Sequence, residues 1–178
     1  MTDNELIRLF LPIIQANLIS ASYVDVVVKQ FNQPTQQGIN TTPTVYFSKI
    51  SDHRYGYLGR FNQYNQLTDR IDHEEIQMYE TTFQIMALVL QNPANPSYTA
   101  ADLVNEVAAI LQSDSTIDTL ATANVGILRI TDIRNPYFKD DRDQFEASPS
   151  FDFTLTHRQT RISTTPVARP IEVAVYPI

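Results

Sequence analysis

Glu75-Ile76-Gln77-Met78-Tyr79-Glu80-Thr81-Thr82-Phe83-Gln84-Ile85-Met86-Ala87-Leu88-Val89-Leu90-Gln91 is the stretch on which the fold turns. Its odd positions run Tyr79, Thr81, Phe83, Ile85, Ala87, Val89, while Glu80, Thr82 and Gln84 take the other side. Alternation at a period of two, rich in Thr, Tyr and Phe, predicts a long half-buried strand and not a helix. Other strands fit around it. Thr44 to Ile50 alternates, Ser51-Asp52 reads as a turn, and Arg54 to Phe61 follows, so the pair reads as a β-hairpin. Val24 to Phe31 is β-branched, and Val125 to Ile133 reads as a further strand. Phe151, Phe153 and Leu155 alternate with Asp152, Thr154 and Thr156 as another half-buried strand.

Two segments carry helical signals. Thr2-Asp3-Asn4-Glu5 has the form of a capping box, and Leu6, Leu9, Phe10, Ile13 and Ile14 follow on one helical face, predicting a helix over about 3–19. Pro12 falls inside it and should kink the helix or end its first segment. Thr99 with Asp102 repeats the box, and Leu103, Val107, Ile110 and Leu111 form the stripe of a second helix. Ser115 to Ala121 fits one more helical turn. Asn32 to Thr42 reads as a loop, and Pro93 and Pro96 as a break. The expected class is α+β: a single domain with a mainly antiparallel sheet and two principal helices packed on one face.

The chain has 178 residues, and on a prior of about 150 residues per domain it forms one. Its net charge of −7 argues against sequence-independent nucleic-acid binding, which needs Lys and Arg to displace phosphate counterions. The absence of cysteine removes disulfides, thiolate zinc sites and cysteine nucleophiles. The sequence has no apolar run of the ~20 residues that span a bilayer, and its start lacks the basic residues of a secretory signal. These features together predict a soluble intracellular acidic domain. Lysine occurs only at Lys29, Lys49 and Lys139, so arginine dominates the basic set, and Tyr and Phe number nine each. Arg, Tyr and Phe are enriched at protein interfaces and Lys is depleted, a lean towards assembly.

The chemical motifs are sparse. His53, His73 and His157 form no metal-binding pair at helical spacing, and His73-Glu74-Glu75 lacks the second histidine of a zinc-protease helix. His53 falls in the expected hairpin turn and His73 before the long strand. There is no nucleophile elbow or phosphate loop, and hairpin glycines account for Gly56 and Gly59. Asp140-Asp141-Arg142-Asp143 with Glu146 is the densest carboxylate group, but it lacks the ligand spacing of a helix-loop-helix calcium site and reads as a solvated loop. No catalytic residue, metal site or cofactor is expected.

Two stretches resemble a known family. Thr42-Pro43-Thr44-Val45-Tyr46-Phe47, running into Asp52-His53-Arg54-Tyr55-Gly56-Tyr57 and then Gln77 to Gln84, is the first. Ile130-Thr131-Asp132-Ile133-Arg134-Asn135-Pro136-Tyr137-Phe138, continuing to Ser150-Phe151-Asp152-Phe153, is the second. Together they resemble the neck or tail-terminator proteins of long-tailed bacteriophages over residues 1–160. The resemblance implies a non-enzymatic virion protein, assembled in the host cytoplasm, that forms a ring of usually six copies. Such a ring caps the tail tube and joins tail to head. Its partners would be other copies of itself, tube subunits (and sheath subunits where present) on one side and head-completion or adaptor proteins on the other. Genomic DNA would pass through the lumen unbound. Another connector or tube ring protein, or a small α+β enzyme or ligand-binding domain with a deep polar pocket, are the alternatives.

A ring needs heterologous contacts. The candidate anchors are Tyr55, Tyr57, Tyr64, Tyr137 and Phe138, with Arg54, Arg60 and Arg134 pairing across subunits. Local packing would account for these loops equally well. Residues 161–178, with Arg169, Ile171 and Val173 among Pro166, Pro170 and Pro177, read as an extended arm or an edge strand suited to a neighbour's sheet.

Overall fold

The computed structural model describes residues 1–30, 42–90, 98–139 and 145–168, with the backbone alone at 137–139 and 145–147. The elements in chain order are α1 (Asp3–Ser20), β1 (Val27–Gln30), β2 (Thr44–Asn65), β3 (Arg70–Leu88), α2 (Ala100–Gln112), α3 (Asp114–Thr122), β4 (Gly126–Ile130), β5 (Tyr137–Lys139), β6 (Phe145–Ala147) and β7 (Ser150–Pro166). Among the described residues the sheet runs β1-β2-β3-β7-β4, with β1 parallel to β2 and every other pair antiparallel. A separate two-stranded ribbon pairs β5 with β6. The fold is α+β, as its alternating and helical patterns predict, with α3 as a short third helix.

The alternation of β3 decides which face is covered. Thr81, Phe83, Ile85 and Ala87 are buried, and so are their neighbours on the same face, Val45 and Phe47 of β2 and Phe151, Phe153 and Leu155 of β7. The helices lie on this face. In α1, Leu6, Phe10, Ile14 and Leu18 are fully buried, one per turn. Phe10 meets Phe47, Phe83 and Phe153 edge-on at 5.0, 5.1 and 5.5 Å between ring centroids. Each such aromatic pair is worth about 0.5–1.5 kcal/mol beyond its buried area. Leu103, Val104, Val107, Ile110 and Leu111 of α2 complete the core.

Both capping boxes are present, Thr2 with Glu5 and Thr99 with Asp102. Pro12, however, does not end α1. It lies on the exposed side above the equally exposed Arg8, so the carbonyl that loses its partner is on the water side. Gln15 of α1 clamps β1 from the side that β2 leaves open. Its Nε2 donates to the Val26 carbonyl at 2.8 Å, and its Oε1 accepts from the Val28 amide at 3.0 Å.

Ser51-Asp52 is not a turn. β2 runs unbroken from Thr44 to Asn65 with a bulge at Ile50, so the expected strands at 44–50 and 54–61 are one. The Asp52 carboxylate, which would have to bond its own backbone to make a turn, instead accepts from Lys49 and Thr81. The true hairpin closes β2 onto β3 through Gln66-Leu67-Thr68-Asp69. There the Asn65 side chain accepts from the Leu67 amide at 3.0 Å, and Asp69 takes a positive φ of 50°. His53 lies within β2 rather than in a hairpin turn, and His73 within the long strand β3 rather than before it. Likewise β7 continues from its buried half, Phe151 to His157, through to Pro166, paired with β3 all the way to Arg70.

Three strands therefore outrun the helices. Beyond Lys49, Thr81 and His157 the sheet continues as a three-stranded wing of residues 51–65, 70–80 and 158–166, with β3 in the middle. Residues 31–41, 91–97, 140–144 and 169–178, which hold the expected loop, the proline break, most of the acidic cluster and most of the arm, lie outside the described residues.

Truncating Phe10 to Ala removes the ring that three sheet phenylalanines contact, and the expected loss is about 3–5 kcal/mol. Equilibrium urea unfolding of Phe10→Ala against the parent chain measures it.

Candidate assembly surface

The wing joins the body through a chain of polar contacts on the helix-side face. Asp3 of α1 and Asp52 of β2 both accept from the Lys49 ammonium, at 2.6 and 2.5 Å. Asp52 also accepts from the Thr81 hydroxyl at 2.7 Å, and Thr81 meets His157 Nε2 at 2.9 Å. Thr81 has one proton, which it gives to Asp52, so His157 must donate from Nε2 and leave Nδ1 bare. That nitrogen is buried and has no hydrogen-bond partner.

Burial pushes the His157 ring below its usual pKa, and the positive N-terminus adds to that, against the weaker upward pull of the Arg158 backbone and of Asp52 and Asp3. Burial alone would raise Asp52, but the bonds from Lys49 and Thr81 outweigh it and hold the carboxyl low. It would likewise lower Lys49, but the two carboxylates hold the ammonium high.

Outward from this root the expected interface residues fall on two faces. Arg54 lies on the helix-side face, its guanidinium 5.6 Å from the centre of the Tyr79 ring, which stacks on His157 at 5.7 Å. Arg60 is on the same face with its Nε 3.4 Å from Glu75 Oε1. Tyr64 donates to Asp69 Oδ1 at 3.0 Å. Tyr55 is on the back face beside Met78. Gly56 to Leu58 form a bulge between Tyr55 and Gly59, with Gly56 at a φ of 70° and Gln77 donating to the Tyr55 carbonyl at 2.8 Å. The bulge, not a hairpin turn, is what requires this glycine. It pushes Tyr57 out to 99% exposure.

Arg134 is far from this group. It lies beside the start of β7, bonded to Asp152 at 2.7 Å. Tyr137 and Phe138 belong to β5, whose backbone pairs with β6. Arg169, Ile171 and Val173 lie outside the described residues.

Several exposed residues were not expected. Phe61 and Ile162 flank Glu74 across the back face, at 59% and 71% exposure, and Leu67 at the hairpin tip is 97% exposed. Phe61 folds over Gly59, where a Cβ would come within 3.5 Å of its ring, and Ile76 lies beside them. Tyr55, Met78, Ile76, Phe61 and Ile162 thus form an apolar stripe on the uncovered back of the wing. Both faces of the wing are solvated, so no alternation marks these residues in the sequence, and the cross-strand register is what brings them together.

Surface concavities are shallow. Two open grooves of about 360 and 370 Å³ are present, one between α1 and α2–α3 and one on the wing, and neither is lined by a buried titratable side chain. Among the described residues no three His, Asp or Glu side chains converge as a metal site, and no helix is long and apolar enough to cross a membrane.

The family described as E217 gateway protein gp29 matches this chain over residues 5–167. The chain belongs to that family. It is a phage head–tail gateway family, which bears out the broad placing among phage neck proteins, although the tail-terminator family itself is not what matched. The gateway match runs through the whole of β7, so it takes in the wing as well as the body. No curated protein matches the chain.

The lowered His157 pKa fixes the sign of a pH effect. Above 6.5, its ordinary value, the ring is neutral in both folded and unfolded chains and the stability is fully present. As pH falls below 6.5 the unfolded chain takes up a proton that the folded chain refuses, and stability drops until the folded pKa is reached. Chemical denaturation between pH 8 and 5 is expected to show this loss, and His157→Gln, which keeps a donor towards Thr81 without titrating, is expected to flatten it.

Proposed function

We propose that the chain is a structural subunit of the head–tail junction of a tailed phage virion and carries out no catalysis. In this reading six copies close a ring on the end of the tail tube. The ring stops tube growth, offers its other surface to head-side proteins and lets DNA pass through its lumen. The observation that carries the reading is the wing: three strands project past their own helices with Tyr57, Phe61, Leu67 and Ile162 exposed. A lone protomer gains nothing by exposing apolar side chains on an extended sheet, whereas a ring subunit needs such anchors for its neighbours. Membership of the gateway family supports the virion location.

The net charge of −7 fits a channel through which DNA slides, since a negative lumen repels phosphate. A ring whose lumen proves basic would contradict that part of the reading. Among the described residues no strand pairs with 161–166 of β7 on the side away from β3, so this part of the C-terminal segment presents an open sheet edge to a neighbouring subunit.

Native mass spectrometry of the purified chain over a concentration series tests the proposal. Six copies of a 20.3 kDa chain weigh about 122 kDa. Particles of that mass, seen as rings in negative stain, are the expected result. A chain that stays monomeric alone and fails to co-sediment with tail tubes would overturn it.

A further inference from the structure

The wing leaves its helix-side face bare. Own helices cover that face as far as Lys49, Thr81 and His157, and beyond them nothing among the described residues lies over it. Elsewhere in the domain this same face is where a helical layer packs. Around Tyr79, Ile71 and Tyr64, its side chains in the wing are mostly basic and polar. Arg54, Arg60 and Arg161 lie there, with Asn62, His73, Gln77, Gln159 and Ser163, against the carboxylate of Glu75. Asp52 at the root is already held by Lys49 and Thr81. The groove of about 370 Å³ is on this face, lined by Arg60, Asn62, His73, Glu75 and Ser163 among others.

The complementary surface is on the same chain. α2 and α3 contain Asp102, Glu106, Asp114 and Asp118 and no Lys or Arg. Asp102 serves the cap of α2, and Asp114 lies in the first turn of α3, where a carboxylate favours the helix dipole. Glu106 and Asp118 have no such use, and each stands one turn after another carboxylate, an arrangement that works against its own helix. Asp114 and Asp118, one turn apart on α3, are exposed beside Ile117, itself 45% exposed.

We propose that the bare helix-side face of the wing seats the acidic α2–α3 layer of a second copy of this chain, an inference that rests on the ring reading above. The contact is heterologous, wing to helices, and repeats around a closed ring. The wing is long enough to seat it: the eleven residues of β3 at 70–80 extend about 36 Å, against about 20 Å for the thirteen residues of α2.

Two charge-reversed chains test it, Arg60→Glu with Arg161→Glu on the wing and Asp114→Lys with Asp118→Lys on α3. Each alone is expected to raise the concentration for half-assembly at least tenfold by native mass spectrometry. Mixed one to one, they are expected to regain the ring mass with equal numbers of each, because every wing then faces helices of opposite sign. Recovery in the mixture also shows that both chains are folded. A wild-type ring indifferent to either reversal gives that face to another partner and overturns the inference alone. Loss of assembly that mixing fails to restore, in chains that still melt cooperatively, also overturns it. A wild-type chain monomeric at every concentration overturns it together with the ring reading.

Discussion

β3 is hydrogen-bonded on both sides along almost its whole length, and the rest of the molecule is arranged around that constraint. β2 lies along one side from Leu88 to Arg70, and β7 along the other from Met86 to Arg70. A strand paired this way satisfies its backbone without help from tertiary cover, so it can run on past the helices into water. Its side chains do the sorting. Where one face carries Phe83, Ile85 and Ala87 the sheet must be covered, and Phe10 of α1 fills the centre of that cover. Where the same face carries Glu75 and His73 no cover is required, and none of the described helices reaches it.

The two regimes meet at the Lys49 to His157 chain of contacts. It runs from the half-exposed Asp3 to the buried Thr81 and His157, where polar groups are costly unless bonded. Here each partner is fixed by the next, from Asp3 on α1 across β2 and β3 to β7, with the bare Nδ1 of His157 as its end. The arrangement ties α1 to all three wing strands at the place where apolar packing stops. It therefore sets how the wing is held against the body, which for a ring subunit is the same as setting the position of its contacts.

What the sequence made legible follows from the same division. The buried half of β3, the paired phenylalanines of β7 and both capping boxes announce themselves because one face is apolar or because a side chain must reach a specific backbone amide. The wing was harder to read. Past His157 and before Glu75 both faces are solvated, so no alternation is imposed on the residues, and β7 looks like an unstructured run of Arg, Gln, Thr and Ser. Ser51-Asp52 carries turn chemistry that tertiary bonds to Lys49 and Thr81 redirect into a bulge. The real turn, Gln66 to Asp69, holds no glycine or proline and shows an apolar Leu67 at its tip. Of the expected anchors, Arg54, Tyr55, Tyr57, Arg60 and Tyr64 share the wing, but the apolar stripe behind them depends on cross-strand register that a single sequence does not display.

The two partners of β3 also differ in how far the chain must travel to find it. β2 arrives through a four-residue turn, whereas Met86 waits for Ser150 and Arg70 for Pro166. Closing those distant pairs costs chain entropy before any contact repays it, so the hairpin condenses early and β7 joins late. During synthesis the interval is longer still, since a ribosome adds only about 5–20 residues per second. Throughout it Phe83 and Ile85 lack their neighbour and the far edge of β3 is an open template for any passing strand. The strand that completes the core is thus also the one that ends the subunit's exposure to wrong partners.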